Sequence, residues 1–116
     1  AGVNSFALLS DSVVASAAND RSVRVWDLRH PAAPLATLLG HVSPVRCVVC
    51  DRRRRVLLSG SDDHSVRLWS AQTFSLVSRY EEHAAPVTCL AADDVFLVSA
   101  SSDGVVRVSD FAADLL

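Results

Sequence analysis

A chain of 116 residues, half of them hydrophobic, can bury one small core and is too short for two independent ones. Its net charge of −2, with both signs dispersed, excludes a global field that would draw in nucleic acid or an anionic membrane, so partners have to be read locally. Three cysteines do not make a disulfide framework and point to a reducing compartment. All eleven basic residues are arginine, and lysine, isoleucine and methionine are absent, which reads as coding bias rather than chemistry. No charged leader precedes an apolar stretch and no apolar run approaches a membrane span, so the expected location is intracellular, cytoplasmic or nuclear. A start without methionine, partway through a pattern, leads to the expectation of a segment of a longer protein.

In chain order, "GVNSFALL" opens as a β-rich run, and "SAANDRSVRVWD" follows as two strands around a turn. "HPAAP", residues 30 to 34, carries two prolines and reads as a stiff connection ending before a strand at Leu35. The next strands are predicted at Val45 to Val49, Val56 to Ser61, Ser65 to Trp69 and Leu76 to Tyr80. "DRRRR" and "DDHS" join them as hairpin turns, where Asp tolerates the backbone and bonds the amides ahead. "CVVC" resembles half a zinc site, but in a strand its spacing puts Cys47 and Cys50 on opposite faces, which favours packing over metal. Cys47 and Cys89 occupy equivalent positions and read as small core residues. No cofactor is expected.

The chain repeats itself. "SAANDRSVRVWD", "SGSDDHSVRLWS" and "SASSDGVVRVSD" align without gaps, with starts 43 and 40 residues apart. "GHVSPVRCVV" aligns in the same way with "EHAAPVTCLA", and Val3 falls opposite Val45 and Val87. Gly40-His41, followed about 28 residues later by "LW", and the "VRVWD" that ends the first unit carry a resemblance to the WD-repeat family of β-propellers. The resemblance implies an all-β fold, a propeller segment of about three four-stranded antiparallel blades within a larger ring. It also implies that each repeat gives an outer strand to one blade and three inner strands to the next. The expected blades are about 1–39, 40–80 and 81–116, the last without its outer strand. Three blades cannot close a ring, so flanking sequence or another chain is expected to complete it. The end blades would otherwise expose apolar faces and the edge of the strand at Val105 to Val108.

In that family a His before the first strand, a Ser on the second, an Asp in the following turn and a Trp on the third form a hydrogen-bonded network. The second unit matches with His41, Ser59, Asp63 and Trp69; the first has Ser16, Asp20 and Trp26 without the His. The third has His83, Ser99 and Asp103, with Ser109 at the Trp position, and is expected to be looser. Ser, His and Asp together also occur in hydrolases. A nucleophilic serine, however, needs exposure on a strained elbow and an oxyanion hole, whereas Ser59 lies mid-strand in "LLSGS" and recurs in phase as Ser16 and Ser99. The reading is structural, with no enzymatic activity.

Asn19, Asp62 and Ser102, just ahead of the turn aspartates, are expected on one face with Ser43 and Ala85, where WD-repeat proteins commonly bind partners. Arg52, Arg53, Arg54 and Arg55 form either a solvated turn or an anion-binding contact for an acidic protein, phosphate or nucleic acid. No aromatic residues interleave with them, against stacking on single strands. The expected function is a non-catalytic scaffold for protein–protein assembly, with anion binding through Arg52 to Arg55 as the alternative.

Overall fold

Short runs of β-branched and small residues, punctuated by Asp, Asn, Ser and Gly, cannot sustain helices but form hairpins readily. The computed structural model describes residues 2–81, 83–92 and 96–109, and these hold eleven strands in three antiparallel meanders. The first sheet runs β1 (Val3–Leu8), β2 (Val13–Ala18), β3 (Val23–Asp27) and β4 (Ala36–Leu38) in that order. The central sheet runs β5 (Val45–Asp51), β6 (Val56–Ser61), β7 (Val66–Ser70) and β8 (Leu76–Tyr80). The third has β9 (Val87–Ala92), β10 (Leu97–Ser101) and β11 (Val106–Ser109). Each sheet is one blade. Two blades have four strands and the third has three among the described residues, so the sequence-derived strand count per blade holds.

The blades stack face to face. Ala15, Ala17, Val23 and Val25 of the first blade meet Val45, Val48, Leu57 and Trp69 of the central one. On its other side Leu58, Val66 and Leu68 meet Val87, Leu90 and Leu97. The central blade is therefore covered on both faces, and every residue of β6 is buried, its two serines included. Gly60 permits the second contact: a Cβ there would lie 2.7 Å from both Cys47 Sγ and Val87 Cγ1, so a larger residue would push the blades apart. Cys47 belongs to this second cluster while Cys50 packs against the first, so the two thiols face opposite ways. The outward faces lack such cover. Phe6, at the register position of Val48, is 73% exposed, and Val106 and Val108 are each 62% exposed.

The second-to-third strand turn is built alike in all blades. The carboxylates of Asp20, Asp63 and Asp103 accept from the amides of Ser22, Ser65 and Val105 at 3.1, 3.0 and 3.2 Å. The residue after each Asp takes a left-handed backbone: Arg21 at φ 73°, His64 at 74° and Gly104 at 84°. Only glycine enters that region without a steric cost. His64→Gly is therefore expected to stabilise the chain by about 1 kcal/mol, read as a higher urea midpoint at unchanged slope. A lower midpoint would show that the imidazole contributes more than its backbone costs.

A second regularity sits at the start of the first strand. Val3 and Ser5 pair with consecutive residues Ala18 and Ala17, so Asn4 is one residue in excess of its partner strand. Arg46 and Thr88 are extra in the same way in the central and third blades. The β-bulge recurs at one phase in every blade and turns an extra side chain toward the neighbouring turn.

Candidate functional site: the buried network and the loop rim

The central blade carries the complete network. Asp63 can only accept, so His41 donates from Nδ1 to Asp63 Oδ2 at 2.9 Å. That tautomer leaves Nε2 as the acceptor, and Ser59 donates its hydroxyl to it at 2.7 Å. Trp69 then donates Nε1–H to Ser59 Oγ at 2.9 Å, giving a one-directional chain from indole to hydroxyl to imidazole to carboxylate. The indole also meets the imidazole edge-on, with centroids 6.5 Å apart. Asp63 further accepts from the Val42 amide at 3.0 Å and the Ser65 hydroxyl at 2.5 Å. Four segments are thereby pinned together. These are the loop before β5, strand β6, the β6–β7 turn and strand β7.

The connectivity is that of a hydrolytic triad, but the surroundings are not. Ser59 is completely buried, and its oxygen already receives the Trp69 N–H, so no substrate carbonyl reaches it. Burial, outweighing the attraction of Asp63, holds the His41 pKa below its ordinary 6.5. For Asp63, burial would raise the carboxyl, and the bonds from Ser65, His41 and the Ser65 and Val42 amides overcome it, holding the pKa at about 2.

A pH dependence follows. The folded state keeps His41 neutral while the unfolded chain protonates it near 6.5, so its contribution is complete above 6.5 and is lost as pH falls below it. The contribution of Asp63 is complete above 3.8 and is lost as pH falls toward 2. Stability measured by urea unfolding should decline from pH 7 to 5 and decline again below 4, and His41→Gln should flatten the first decline. An unchanged slope in that variant would exclude His41 as its source.

The other blades are partial. In the first, Trp26 donates to Ser16 Oγ at 3.0 Å, and Asp20 takes the Ser22 hydroxyl and the Arg24 guanidinium, 3.1 Å away, in place of a histidine. In the third, His83 Nε2 reaches Ser99 Oγ at 2.7 Å, but its buried Nδ1 has no partner among the described residues. Asp103 instead accepts from the Ser101 hydroxyl and the Val105 amide, so the expected grouping of His83, Ser99 and Asp103 is only half formed. The physical reason lies at Val105, which stands where Ser65 bonds both Asp63 and His41 and has no hydroxyl to give. Ser65 was not singled out from the sequence, although the in-phase series Ser22, Ser65, Val105 carries the signal. Ser61 was also missed: it donates to the Pro44 carbonyl at 2.9 Å and accepts from the Asp63 amide at 3.1 Å.

The turn residues singled out for partner contact line one rim. The amides of Asn19, Asp62 and Ser102 donate to the carbonyls of Gly2, Pro44 and Pro86 at 2.9, 3.0 and 3.0 Å. Each turn is thus tied to the loop before the first strand, where Ser43 and Ala85 also lie. Two of the bulge residues reach the same rim. Asn4 donates to Asn19 Oδ1 at 2.8 Å, and Arg46 grips Asp62 through two bonds of 2.9 and 2.6 Å. Asp62, which the network does not use, is held as one half of a bidentate ion pair.

At the opposite edge of the sheets, Asp51 caps the arginine turn through the amides of Arg53 and Arg54 and pairs with the Arg54 guanidinium at 2.7 Å. Arg52 reaches across to Asp11 of the first blade at 3.2 Å. Among the described residues no three His, Cys, Asp or Glu side chains are grouped to hold a metal ion. No helix among them is long and apolar enough to cross a membrane.

Repeating meanders, one blade-internal network and a shared rim define a repeat protein of stacked blades. The WD domain, G-beta repeat model matches residues 1–27, 32–70 and 74–110, and the chain belongs to the WD40 family. It is 37% identical over 89 residues, 75% of its length, to Periodic tryptophan protein 2 of Arabidopsis thaliana, covering 10% of that protein. It is 37% identical over 79 residues, 66% of its length, to Coatomer subunit beta'-1 of the same plant, covering 8%. With COMPASS component SWD3 of Saccharomyces cerevisiae it shares 30% identity over 100 residues, 84% of its length and 31% of that protein. The chain spans less than a third of each of these relatives. By their names, relatives include subunits of protein complexes.

Proposed function

We propose that the chain is a non-catalytic scaffold segment whose rim holds a protein partner within a larger assembly. The observation that carries this reading is the rim itself. Asn19, Asp62 and Ser102 are each fixed by a backbone hydrogen bond to the adjoining loop, and a bulge residue bonds the side chains of Asn19 and Asp62, so a pre-ordered polar surface meets a partner with little ordering cost. The enclosure of Ser59 supports a structural role for the triad-like network. Names such as coatomer subunit and COMPASS component support membership of a complex. The proposed blades are residues 1–39, 40–80 and 81–116, and the proposed setting is intracellular, with the remaining blades supplied by further sequence or another chain. Binding of nucleic acid through Arg52 to Arg55 has less support, because Arg54 already pairs with Asp51 and the run does not act as one block of charge.

The test is cross-linking and mass spectrometry on the protein in cell extract, comparing wild type with an Asn19→Arg, Ser102→Arg double variant. Those substitutions change the rim and spare the network. Loss of specific cross-linked proteins at retained thermal stability is expected; an unchanged set would remove the rim from the reading.

A further inference from the structure

Away from the rim, the β1–β2 turn and the turns flanking β6 and β7 enclose a cleft of about 250 Å³ between the first and central blades. Its floor is apolar: Leu9, Val13, Ala71 and Phe74 line it and pack on the core that the two blades share. Two exposed guanidinium groups, Arg52 and Arg55, stand at its mouth. Asp11, the partner of Arg52, is fully exposed, and a pair of that kind is screened and readily exchanged. Among the described residues Arg55 pairs with no carboxylate.

The cleft is also set in advance. Arg55 and Phe74 both have left-handed backbones at φ 56°, held by bonds from the Ala71 amide to the Arg55 carbonyl at 2.8 Å and from the Phe74 amide to the Ser70 carbonyl at 2.9 Å. Two turns are therefore locked together at two sterically disfavoured residues, both of which line the cleft. The volume is below the roughly 300–1,000 Å³ of free small-molecule pockets and suits one large side chain. Arginines at its edge match a planar carboxylate. A nucleic acid backbone would use the arginines and leave the apolar floor unfilled.

The geometry points to a docking site for a short peptide segment of a partner protein in which a large apolar side chain adjoins an Asp or Glu. The apolar side chain enters between Leu9 and Phe74, and the carboxylate binds Arg55 and takes Arg52 from Asp11. This rests on the reading of the chain as a protein-binding scaffold, but it uses the edge of the sheets opposite the rim.

The test uses the full chain with Cys89→Ser and three labelled hexapeptides of Gly and Ser around Phe-Asp, Phe-Asn or Ala-Asp. Binding is followed by fluorescence anisotropy and by the rate at which a maleimide alkylates Cys50, a half-buried thiol in the cleft wall. Burial raises the pKa of both thiols, but Cys47 is enclosed between the blades and pushed up to about 12, so it reacts far more slowly than the half-buried Cys50. The Phe-Asp peptide is expected to bind and to slow alkylation, with the other two weaker by about tenfold or more and Phe-Asp binding falling with salt. Arg55→Gln should lose about tenfold in affinity, and Arg55→Gly should lose as much while relieving the backbone, which separates charge from folding. Equal binding of Phe-Asn, binding without protection of Cys50, or no binding of any peptide would each overturn the proposal. So would an oligonucleotide that displaces the peptide at lower concentration than the peptide itself. Rim variants leave this assay unchanged, so its outcome is independent of the cross-linking result.

Discussion

Asp63→Ala is expected to lower the unfolding free energy by about 2–4 kcal/mol, because a buried carboxylate that accepts several hydrogen bonds is removed and its donors are left unsatisfied. The carboxylate accepts from His41, from the Val42 and Ser65 amides and from the Ser65 hydroxyl, and all four donors lie in segments that the substitution would leave facing each other without an acceptor. An internal comparison is available. Asp103 bonds only Ser101 and Val105 among the described residues and leaves His83 Nδ1 unpartnered, so Asp103→Ala should cost clearly less. Urea unfolding monitored by tryptophan fluorescence measures both. Equal losses would mean that the completed network adds nothing beyond the local turn.

The second large effect is at Trp69. Trp69→Ser, which gives the central blade the residue that the third carries at Ser109, should cost about 3–5 kcal/mol. The indole is 3% exposed within the core between the first two blades, and its N–H is the donor that opens the chain through Ser59. Both losses fall on one residue, so the damage should extend to the first blade. Amide exchange in β2 and β3 should quicken with that in β6. Acceleration confined to the central blade would show that the blades are independent despite their shared core. Trp69→Phe, which keeps most of the packing and removes the donor, separates the two contributions.

Much of this was legible in the sequence, because the fold repeats three times and each repeat checks the others. The "SxxxDxSVRxW" pattern shared in phase by the first two units and the spacing of His41 from Ser59 were enough to name the four residues of the central network, and β6 was predicted to the residue. What was not legible depended on pairing across strands. Arg46 looks like an ordinary strand residue until the register shows it as a bulge, and only then does Asp62 acquire a partner. His64 falls in the "DDHS" run that reads as a hairpin turn, and its left-handed backbone emerges from the hairpin geometry, not from its chemistry. The arginine run read as one block of charge. In the structure it divides, with Arg54 turned to Asp51, Arg52 shared with Asp11, and Arg55 at the apolar cleft. Such division depends on blades packing side by side, which one-dimensional spacing does not encode.

The recurring bulge gives this architecture one position per blade whose side chain is free of the cross-strand register. A residue in excess of the ladder has no cross-strand neighbour to match, so amide, guanidinium and hydroxyl side chains at Asn4, Arg46 and Thr88 are accommodated at one phase while the valine before each stays the same. Along the arc of blades these positions form a short series of interchangeable labels, neutral, cationic, then neutral, mounted on an invariant frame. Each label stands outside the cross-strand pairing, so its chemistry is set apart from the ladder that holds the blade together.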